Sequence, residues 1–329
     1  MEQWFAPVNP STPPDVSKVL VVAPHPDDEI FGCGGLLAMY RKAGAMIQVQ
    51  ILTDGAGYHQ FPDREVIFKI RMAESNLALG KLGVAPADFS GFSDRGLVAR
   101  PDLSRLIRDH IISHQSELVL APSLWEIHPD HLAAARATLE AVAELVKTRE
   151  NAPILMFYEI GAPQRVDFLL DITSVWPLKL QAMQDFASQN SMQDYPRLIE
   201  ALNAYRTYTL PSEVRYAEGY TLVSPQMLVD AMRCGGDLSV HILDRWKERA
   251  LAAATACVEQ LQMNVTAAQR NINELQQHAA ALQQQAAVMG LEIGWLQRER
   301  EKLLESTSWR ITAPLRRLGG FFRSKTRKN

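Results

Sequence analysis

Two short clusters of histidine and aspartate in this chain could bind a metal ion and move protons. The first is HPDDE at 25–29, which follows the apolar run 19–23, and the second is HPDH at 128–131, which follows Leu118–Pro122. Apolar runs of this length are typical of buried strands. Because ligands of open α/β sheets bind at the carboxyl ends of the strands, we expect both clusters to contribute to one site.

The residue types in these clusters suit a catalytic metal ion. Zinc in catalytic sites has three protein ligands and one open position for water, and neutral imidazole and carboxylate groups are suitable ligands. His25 and Asp28 lie three residues apart on a tight turn, and His131 could complete the set. We therefore predict a Zn²⁺ site at these three residues, although the same ligands admit another divalent metal such as Fe²⁺.

The remaining polar residues of the clusters could carry out proton transfer. Asp27 would not bind the ion, and it could deprotonate a water that the ion makes acidic. His128 could donate a proton to a leaving amine or stabilise an oxyanion. Asp130 could orient one of the imidazoles. A purely structural alternative is that each cluster caps a helix N-terminus, where carboxylates are favoured by the helix dipole.

The elements that must position these residues alternate in type along the chain. Apolar runs with strand character are followed by segments with helical periodicity, and the runs are continuously apolar, which is typical of a parallel sheet covered on both faces. The predicted strands are 19–24, 47–53, 118–123 and 154–160, and the predicted helices are 36–43, 66–82, 103–113 and 132–147. This alternation predicts a doubly wound α/β fold with a mostly parallel sheet and helices on both faces.

A long heptad repeat follows this region from about Asp244 onward. The a positions are Leu251, Val258, Val265, Ile272, Ala279, Ala286 and Ile293, and the d positions are Ala254, Leu261, Ala268, Leu275, Leu282, Met289, Leu296 and Leu303. The repeat predicts a coiled-coil helix, and β-branched residues at a with Leu at d favour a parallel homodimer. The alternative is a long helix that folds back on the catalytic domain.

Composition and charge narrow the functional class. The formal net charge is −3, yet the last twenty residues carry only basic charges. An acidic main surface argues against a nucleic-acid partner. Three widely spaced cysteines, no signal-like N-terminus and no apolar run long enough for a bilayer predict a cytoplasmic protein.

At its two clusters the chain resembles the PIG-L/LmbE-like family of metal-dependent N-deacetylases. The matching segments are VVAPHPDDEIFGCGG at 21–35 and APSLWEIHPDHLAA at 121–134, with weaker agreement at 52–55 and 70–84. The resemblance implies a Rossmann-like fold and hydrolysis of an N-acetyl group from a GlcNAc-type amino sugar, lipid- or nucleotide-linked. It implies the same roles for five cluster residues: His25, Asp28 and His131 as metal ligands, Asp27 as general base, and His128 as oxyanion stabiliser or acid.

The same resemblance implies two substrate-binding residues outside the clusters. Arg71, in the R-x-x-E pattern, would contact the sugar or its substituent, and the alternative is an ion pair with Glu74. Asp94, in GFSDRGL, would contact sugar hydroxyls, and the alternative is a turn residue.

The C-terminal end carries a second, shorter resemblance. Ser306–Leu318 is similar to segments of bacterial polysaccharide-assembly proteins, which implies a role in cell-surface glycan biosynthesis and a possible glycosyltransferase partner. Aromatic and basic residues interleave in the tail, so it could also dock peripherally at the inner face of the cytoplasmic membrane, or stay disordered. The chain is thus expected to divide into an extended arm (1–17), a deacetylase domain (18–243), a coiled coil (244–305) and a basic amphipathic tail (306–329).

The sequence therefore predicts a zinc-dependent sugar N-deacetylase. Two alternatives stay open: a metal-dependent amidase or esterase that acts on another conjugate, and a non-catalytic coiled-coil scaffold in glycan assembly.

Overall fold

A computed structural model of the chain describes residues 6–57, 63–148 and 152–312. The chain divides into two compact units between Thr255 and Ala256. The four-segment division expected from composition stays a prediction.

The first unit is built on a seven-stranded mixed sheet, counted over the described residues. Its order is β3-β2-β1-β4-β5-β7-β6. The strands are β1 (Lys18–Ala23), β2 (Met46–Thr53), β3 (Asp88–Phe92), β4 (Leu118–Pro122), β5 (Ile154–Tyr158), β6 (Phe168–Asp171) and β7 (Ala217–Val223). β1 to β5 are parallel, and β7 runs antiparallel to both β5 and β6. The predicted α/β fold with a mostly parallel sheet is confirmed.

Helices cover both faces of this sheet. They are α1 (Asp28–Lys42), α2 (Arg64–Lys81), α3 (Leu103–His114), α4 (Pro129–Thr148), α5 (Trp176–Met183), α6 (Ala187–Asn190), α7 (Tyr195–Tyr205) and α8 (Pro225–Cys234). Alternate residues of β1 enter different cores: Val19 and Val21 pack in one cluster with α1, α2 and α5, and Leu20 packs in another with α3 and α4. This burial on both sides explains the continuously apolar strands.

The helix after β1 differs from the expectation. The sequence predicted a helix at 36–43 only, but α1 begins at Asp28 and includes the glycines at 32, 34 and 35, with non-helical backbone at Cys33. A Cβ on Gly32 would lie 2.3 Å from the Tyr158 ring. These glycines therefore permit close helix–strand packing and do not form a turn.

Three strands and four helices of the first unit were not predicted. β3 and β7 contain polar or small residues that interrupt the apolar pattern, as in AEGYTLV, and β6 has only four residues. α5 and α6 are short. Helix α7 supplies residues to the lining of a cavity at the carboxyl edge of the sheet.

The second unit contains most of a single long helix. Helix α9 (Leu238–Glu305) is followed by α10 (Thr307–Ile311). Within α9, the apolar heptad residues Val258, Leu261 and Val265 are 52%, 57% and 67% exposed. The long helix agrees with the heptad pattern, and its pairing in a coiled coil stays a prediction. Residues 313–329 of the predicted tail lie outside the described residues.

A membrane-spanning helix is not found among the described residues, because none of their helices is both long and apolar enough.

Candidate active site

Three predicted metal ligands meet at the carboxyl ends of β1 and β4. His25 lies in the loop after β1, Asp28 is the first residue of α1, and His131 lies in the first turn of α4. His25 Nδ1 is 3.1 Å from His131 Nε2, and both nitrogens are 3.2 Å from Asp28 Oδ2. Three donor atoms from distant segments thus form a nearly equilateral triangle.

This triangle fits a small divalent cation. Donor atoms that bind a tetrahedral zinc at about 2.0–2.1 Å lie roughly 3.3 Å from one another, close to the spacing found here. All three side chains are buried, with at most 8% of each residue exposed. His128 borders the same position, since one of its ring nitrogens lies within 4.8 Å of donors in His25 and His131.

Carboxylates hold the far side of each histidine ring. Glu126 Oε2 is 3.2 Å from His131 Nδ1. On the other ring, His25 Nε2 is 3.4 Å from Asp130 Oδ2 and 3.5 Å from Asp94 Oδ1. Such outer partners fix the ring orientation and make the imidazole a better ligand. Asp130 therefore lies beside one imidazole, and its orienting role stays a prediction.

Glu126 was not singled out from the sequence. Its buried carboxylate also accepts hydrogen bonds from Ile160 N (3.1 Å) and Gly161 N (3.0 Å), in the loop after β5. It joins His131 to a second part of the site wall. The sequence offered one indication of this role, since Glu126 lies in the second motif, five residues before His131.

Asp27 occupies an unusual backbone conformation beside the ligands. Its φ is 139°, in the region that favours glycine, so the fold maintains this geometry at a cost in strain. Its carbonyl accepts from Ile30 N and Phe31 N, but its side chain makes no helix-capping hydrogen bond. Helix capping therefore does not explain why an aspartate stands at position 27.

Arg71 contacts Asp27 and not Glu74. Arg71 is buried, and its Nη2 donates to Asp27 Oδ2 (2.8 Å) and to Pro26 O (2.6 Å). Glu74 instead accepts from Ser188 N and Oγ at 2.8 and 2.6 Å, so the ion pair considered for Arg71 and Glu74 is not formed. Arg71 lines the cavity, and its direct contact with a sugar stays a prediction.

His128 is half-buried and stands edge-on to His25, with ring centroids 4.7 Å apart. Its Nδ1 accepts a hydrogen bond from Asp130 N at 3.3 Å. When His128 is neutral, this contact places its proton on Nε2. The ring can therefore act as a donor from Nε2.

Asp94 lies at the same edge as the ligands. Its Oδ2 accepts from Gly57 N at 2.9 Å, and it lines the cavity. Its predicted contact with sugar hydroxyls is untested.

The titratable groups of the site have pKa values that are shifted in different directions. Burial raises the pKa of Asp27 to about 7, although the Arg71 guanidinium opposes that rise. Burial also raises the pKa of Glu29 to about 8, despite its hydrogen bond from Ser75. The pKa of His128 is lowered by burial and by the neighbouring histidines. The pKa of His131 is about 9 because Asp28 and Glu126 outweigh the effect of burial.

The candidate site opens into a cavity of about 740 Å³. His25, Asp27, Asp28, Arg71, His128 and His131 line its polar end. The structure thus brings together a triangle of metal donors, the carboxylate of Asp27 and an imidazole that can donate a proton or hydrogen bond. These groups face a space that is large enough for a sugar.

A family model described as GlcNAc-PI de-N-acetylase, PIG-L, matches residues 20–142. The matched region contains every candidate site residue predicted from the sequence.

Relatives and solved structures extend the similarity beyond this region. The chain is 29% identical over 186 residues to the probable N-acetyl-alpha-D-glucosaminyl L-malate deacetylase 2 of Bacillus anthracis, covering 52% of this chain and 80% of that protein. It is also 29% identical over 234 residues to the 4-oxalmesaconate hydratase of Pseudomonas putida, covering 64% and 90%. A conserved protein from Thermus thermophilus has a similar structure, with a TM-score of 0.56, 28% identity and coverage of 64% and 96%.

Proposed function

Because this chain is a metal-dependent N-deacetylase of the PIG-L/LmbE-like family, we propose that it removes the acetyl group from a GlcNAc-type amino sugar. The observation that carries the proposal is the triangle of His25 Nδ1, Asp28 Oδ2 and His131 Nε2, with Asp27 next to it. The metal is proposed to be zinc. Two imidazoles and one carboxylate also suit Fe²⁺, so the test includes both ions.

The proposed reaction is hydrolysis of the acetamide C–N bond. The ion, when bound, would polarise the acetyl carbonyl and make water a better nucleophile. The Asp27 carboxylate, held by Arg71, takes a proton from the attacking water as its oxygen bonds to the acetyl carbon. His128 donates a hydrogen bond from Nε2 to the developing oxyanion, or, when it is protonated, a proton to the leaving nitrogen. When His128 is neutral, the leaving nitrogen takes the proton that Asp27 removed from the water. The C–N bond then breaks, which gives acetate and the free amino sugar.

In this proposal, buried carboxylates orient the two histidine rings that would bind the metal. Glu126 Oε2 lies against His131 Nδ1, and the carboxylates of Asp130 and Asp94 lie 3.4 and 3.5 Å from His25 Nε2. The low exposure of these groups limits the screening of their charges by water.

The proposed biological setting is assembly of a cell-surface glycan. The resemblance of Ser306–Leu318 to polysaccharide-assembly proteins supports it, and so does the heptad helix, which could tether the enzyme through a homodimer. A glycosyltransferase or an anionic membrane surface is the proposed contact of the basic tail.

The decisive test is acetate release from N-acetylglucosamine derivatives. Protein stripped with a chelator is reloaded with Zn²⁺ or Fe²⁺, and acetate is measured for free, nucleotide-linked and lipid-linked sugars. Metal-dependent release supports the proposal. Absence of acetate from all sugars by a metal-loaded protein would favour another scissile bond, or a reaction such as hydration, and failure to bind metal would favour a scaffold.

A further inference from the structure

The cavity that holds the active site has an apolar wall opposite in character to its polar end. Helix α7 supplies Tyr195, Leu198, Ile199 and Leu202 to the lining. Their spacing of three and four residues places all four on one face of the helix. We call this face the α7 wall.

The α7 wall is more exposed to solvent than a helix face that packs in the core. Leu198 is 40% exposed and Tyr195 is 36% exposed, although Ile199 beneath them is buried. The loops after β4 and β5 add Ile127, which is 80% exposed, and Pro163 to the same lining. Exposed apolar side chains gathered in a cleft mark a binding surface for an apolar group.

The charges of the lining do not suit a nucleotide carrier. Among the described residues, the ionisable lining of the cavity consists of three carboxylates (Asp27, Asp28 and Asp94), two guanidinium groups and the three imidazoles that surround the metal position. One of these, Arg71, already donates to Asp27 and to two backbone carbonyls. A diphosphate is best bound by several cations in bidentate geometry.

We infer that the amino sugar carries a hydrocarbon or aromatic aglycone, which packs against the α7 wall while the acetamide faces the metal ligands. This inference rests on the proposed deacetylase function. It makes the α7 wall the feature that selects an apolar aglycone over a nucleotide one.

Binding can be measured without catalysis. Octyl and methyl glycosides of glucosamine lack the acetyl group, so the full-length, zinc-loaded protein cannot hydrolyse them as substrates of deacetylation. Calorimetry below the micelle concentration gives their Kd values. Each buried methylene contributes about fourfold in affinity, so burial of a few of them makes the octyl glycoside bind at least about tenfold more tightly.

A variant of the α7 wall makes the test specific. Leu198→Ser is expected to lower the octyl-to-methyl affinity ratio at least about threefold. The matched control is Leu77→Ser on α2, a leucine that is 57% exposed and outside the cavity lining. That control is expected to leave the ratio unchanged.

Three results would overturn the inference. They are equal Kd values for the two glycosides, tighter binding of UDP-glucosamine than of the octyl glycoside, and an octyl preference that Leu198→Ser leaves intact. Preference for N-octanoylglucosamine without preference for the octyl glycoside would likewise refute it, because the wall would then hold an acyl chain.

A parallel assay of acetate release from the N-acetylated glycosides separates the two proposals. An octyl preference in binding without any acetate release would refute the proposed function and leave the apolar subsite standing. Equal rates of acetate release from methyl and octyl glycosides, with equal binding, would refute the subsite and leave the function standing.

Discussion

The adjacent carboxylates Asp27 and Asp28 have different partners, which indicates different tasks. Asp28 Oδ2 contacts the nitrogens of both histidines in the donor triangle. Asp27 Oδ2 instead accepts from Arg71, in a strained backbone that turns it away from helix capping. One residue is therefore suited to hold the ion and the next to move a proton.

Replacement of each carboxylate by its amide should separate these tasks. Asp27→Asn is expected to lower kcat for acetate release at least about 100-fold, because the amide cannot accept the proton, while the protein keeps stoichiometric metal. Asp28→Asn is expected to lose metal. Metal content is measured by elemental analysis, with Asp109→Asn on α3 as the exposed control. Full activity of Asp27→Asn would contradict the mechanism.

The contact between Glu126 and His131 predicts an effect on metal affinity. Glu126→Gln keeps the size of the side chain but removes the charge that orients the ring, and we expect the Kd of the metal to rise about 10–100-fold. Competition with a chelator measures this Kd. The control Glu140→Gln lies exposed on the same helix as His131. Equal Kd values for both variants would show that Glu126 does not position the ring.

The candidate site was partly predictable because its main residues lie in two short motifs at strand ends. Local sequence could place His25, Asp28 and His131 at one edge, since parallel strands end at the same edge. It could not choose a partner for Arg71, because Asp27 is 44 residues away and meets it only through the fold. Glu126 was missed because its contacts span two loops.

At the scale of elements, helix α1 and strand β5 set the position of the first motif. Gly32 of α1 lies against the Tyr158 ring, and the Tyr158 hydroxyl donates to Val22 O of β1 at 2.9 Å. The ring is fully buried, so it has little room to move. The end of β1 and the start of α1 are thus held together through one tyrosine.

Alanine at Gly32 tests this packing. Its Cβ would lie 2.3 Å from the ring, and overpacking of this kind costs about 1–3 kcal/mol in the free energy of unfolding. The control Gly80→Ala in α2 meets no atom within 4 Å, and it is expected to raise stability by about 0.5–1 kcal/mol. Urea denaturation measures both. A Gly32→Ala protein as stable as the parent would refute the close approach.

Strands were predictable from the sequence where both of their faces pack in the apolar core. Strands β1, β4 and β5 are buried on both faces and almost entirely apolar, so their pattern was sufficient. Strand β2 was recognised from its apolar residues although Gln48 and Gln50 interrupt them. Strand β7, which runs at the antiparallel end of the sheet, includes Glu218, whose buried carboxylate accepts from Gly35 N and Leu36 N. Its polar and small residues break the pattern, because they serve contacts that the local sequence does not reveal.

For the whole molecule, the heptad pattern of α9 predicts how copies of the chain associate. The positions that flank its a and d residues carry mostly neutral side chains. The neutral residues at e include Gln262, Gln269, Gln276, Gln283 and Gln297, and those at g include Asn264, Asn271, His278 and Gln285. The acidic g positions are Glu292 and Glu299, near the C-terminal end of the repeat. Self-association therefore meets little like-charge repulsion, and it depends on apolar contacts more than on ion pairs.

A charge in this apolar seam should prevent the homodimer. In a parallel pair, Val265→Asp at position a places two carboxylates opposite each other, so the solution mass is expected to fall from twice 36.8 kDa to that of one chain. Val288→Asp is the matched control, since Val288 is similarly exposed (58% against 67% for Val265) but lies at position c, away from the seam.

Light scattering measures the mass of the full-length parent and of both variants, at low salt and in 1 M NaCl. The parent dimer should persist in high salt, because screening removes ion pairs and leaves apolar burial. A monomeric parent would contradict self-association through this helix, and equal dissociation by both variants would contradict the heptad register. Dissociation of the parent in salt would instead indicate that charges, and not the a and d residues, hold the copies together.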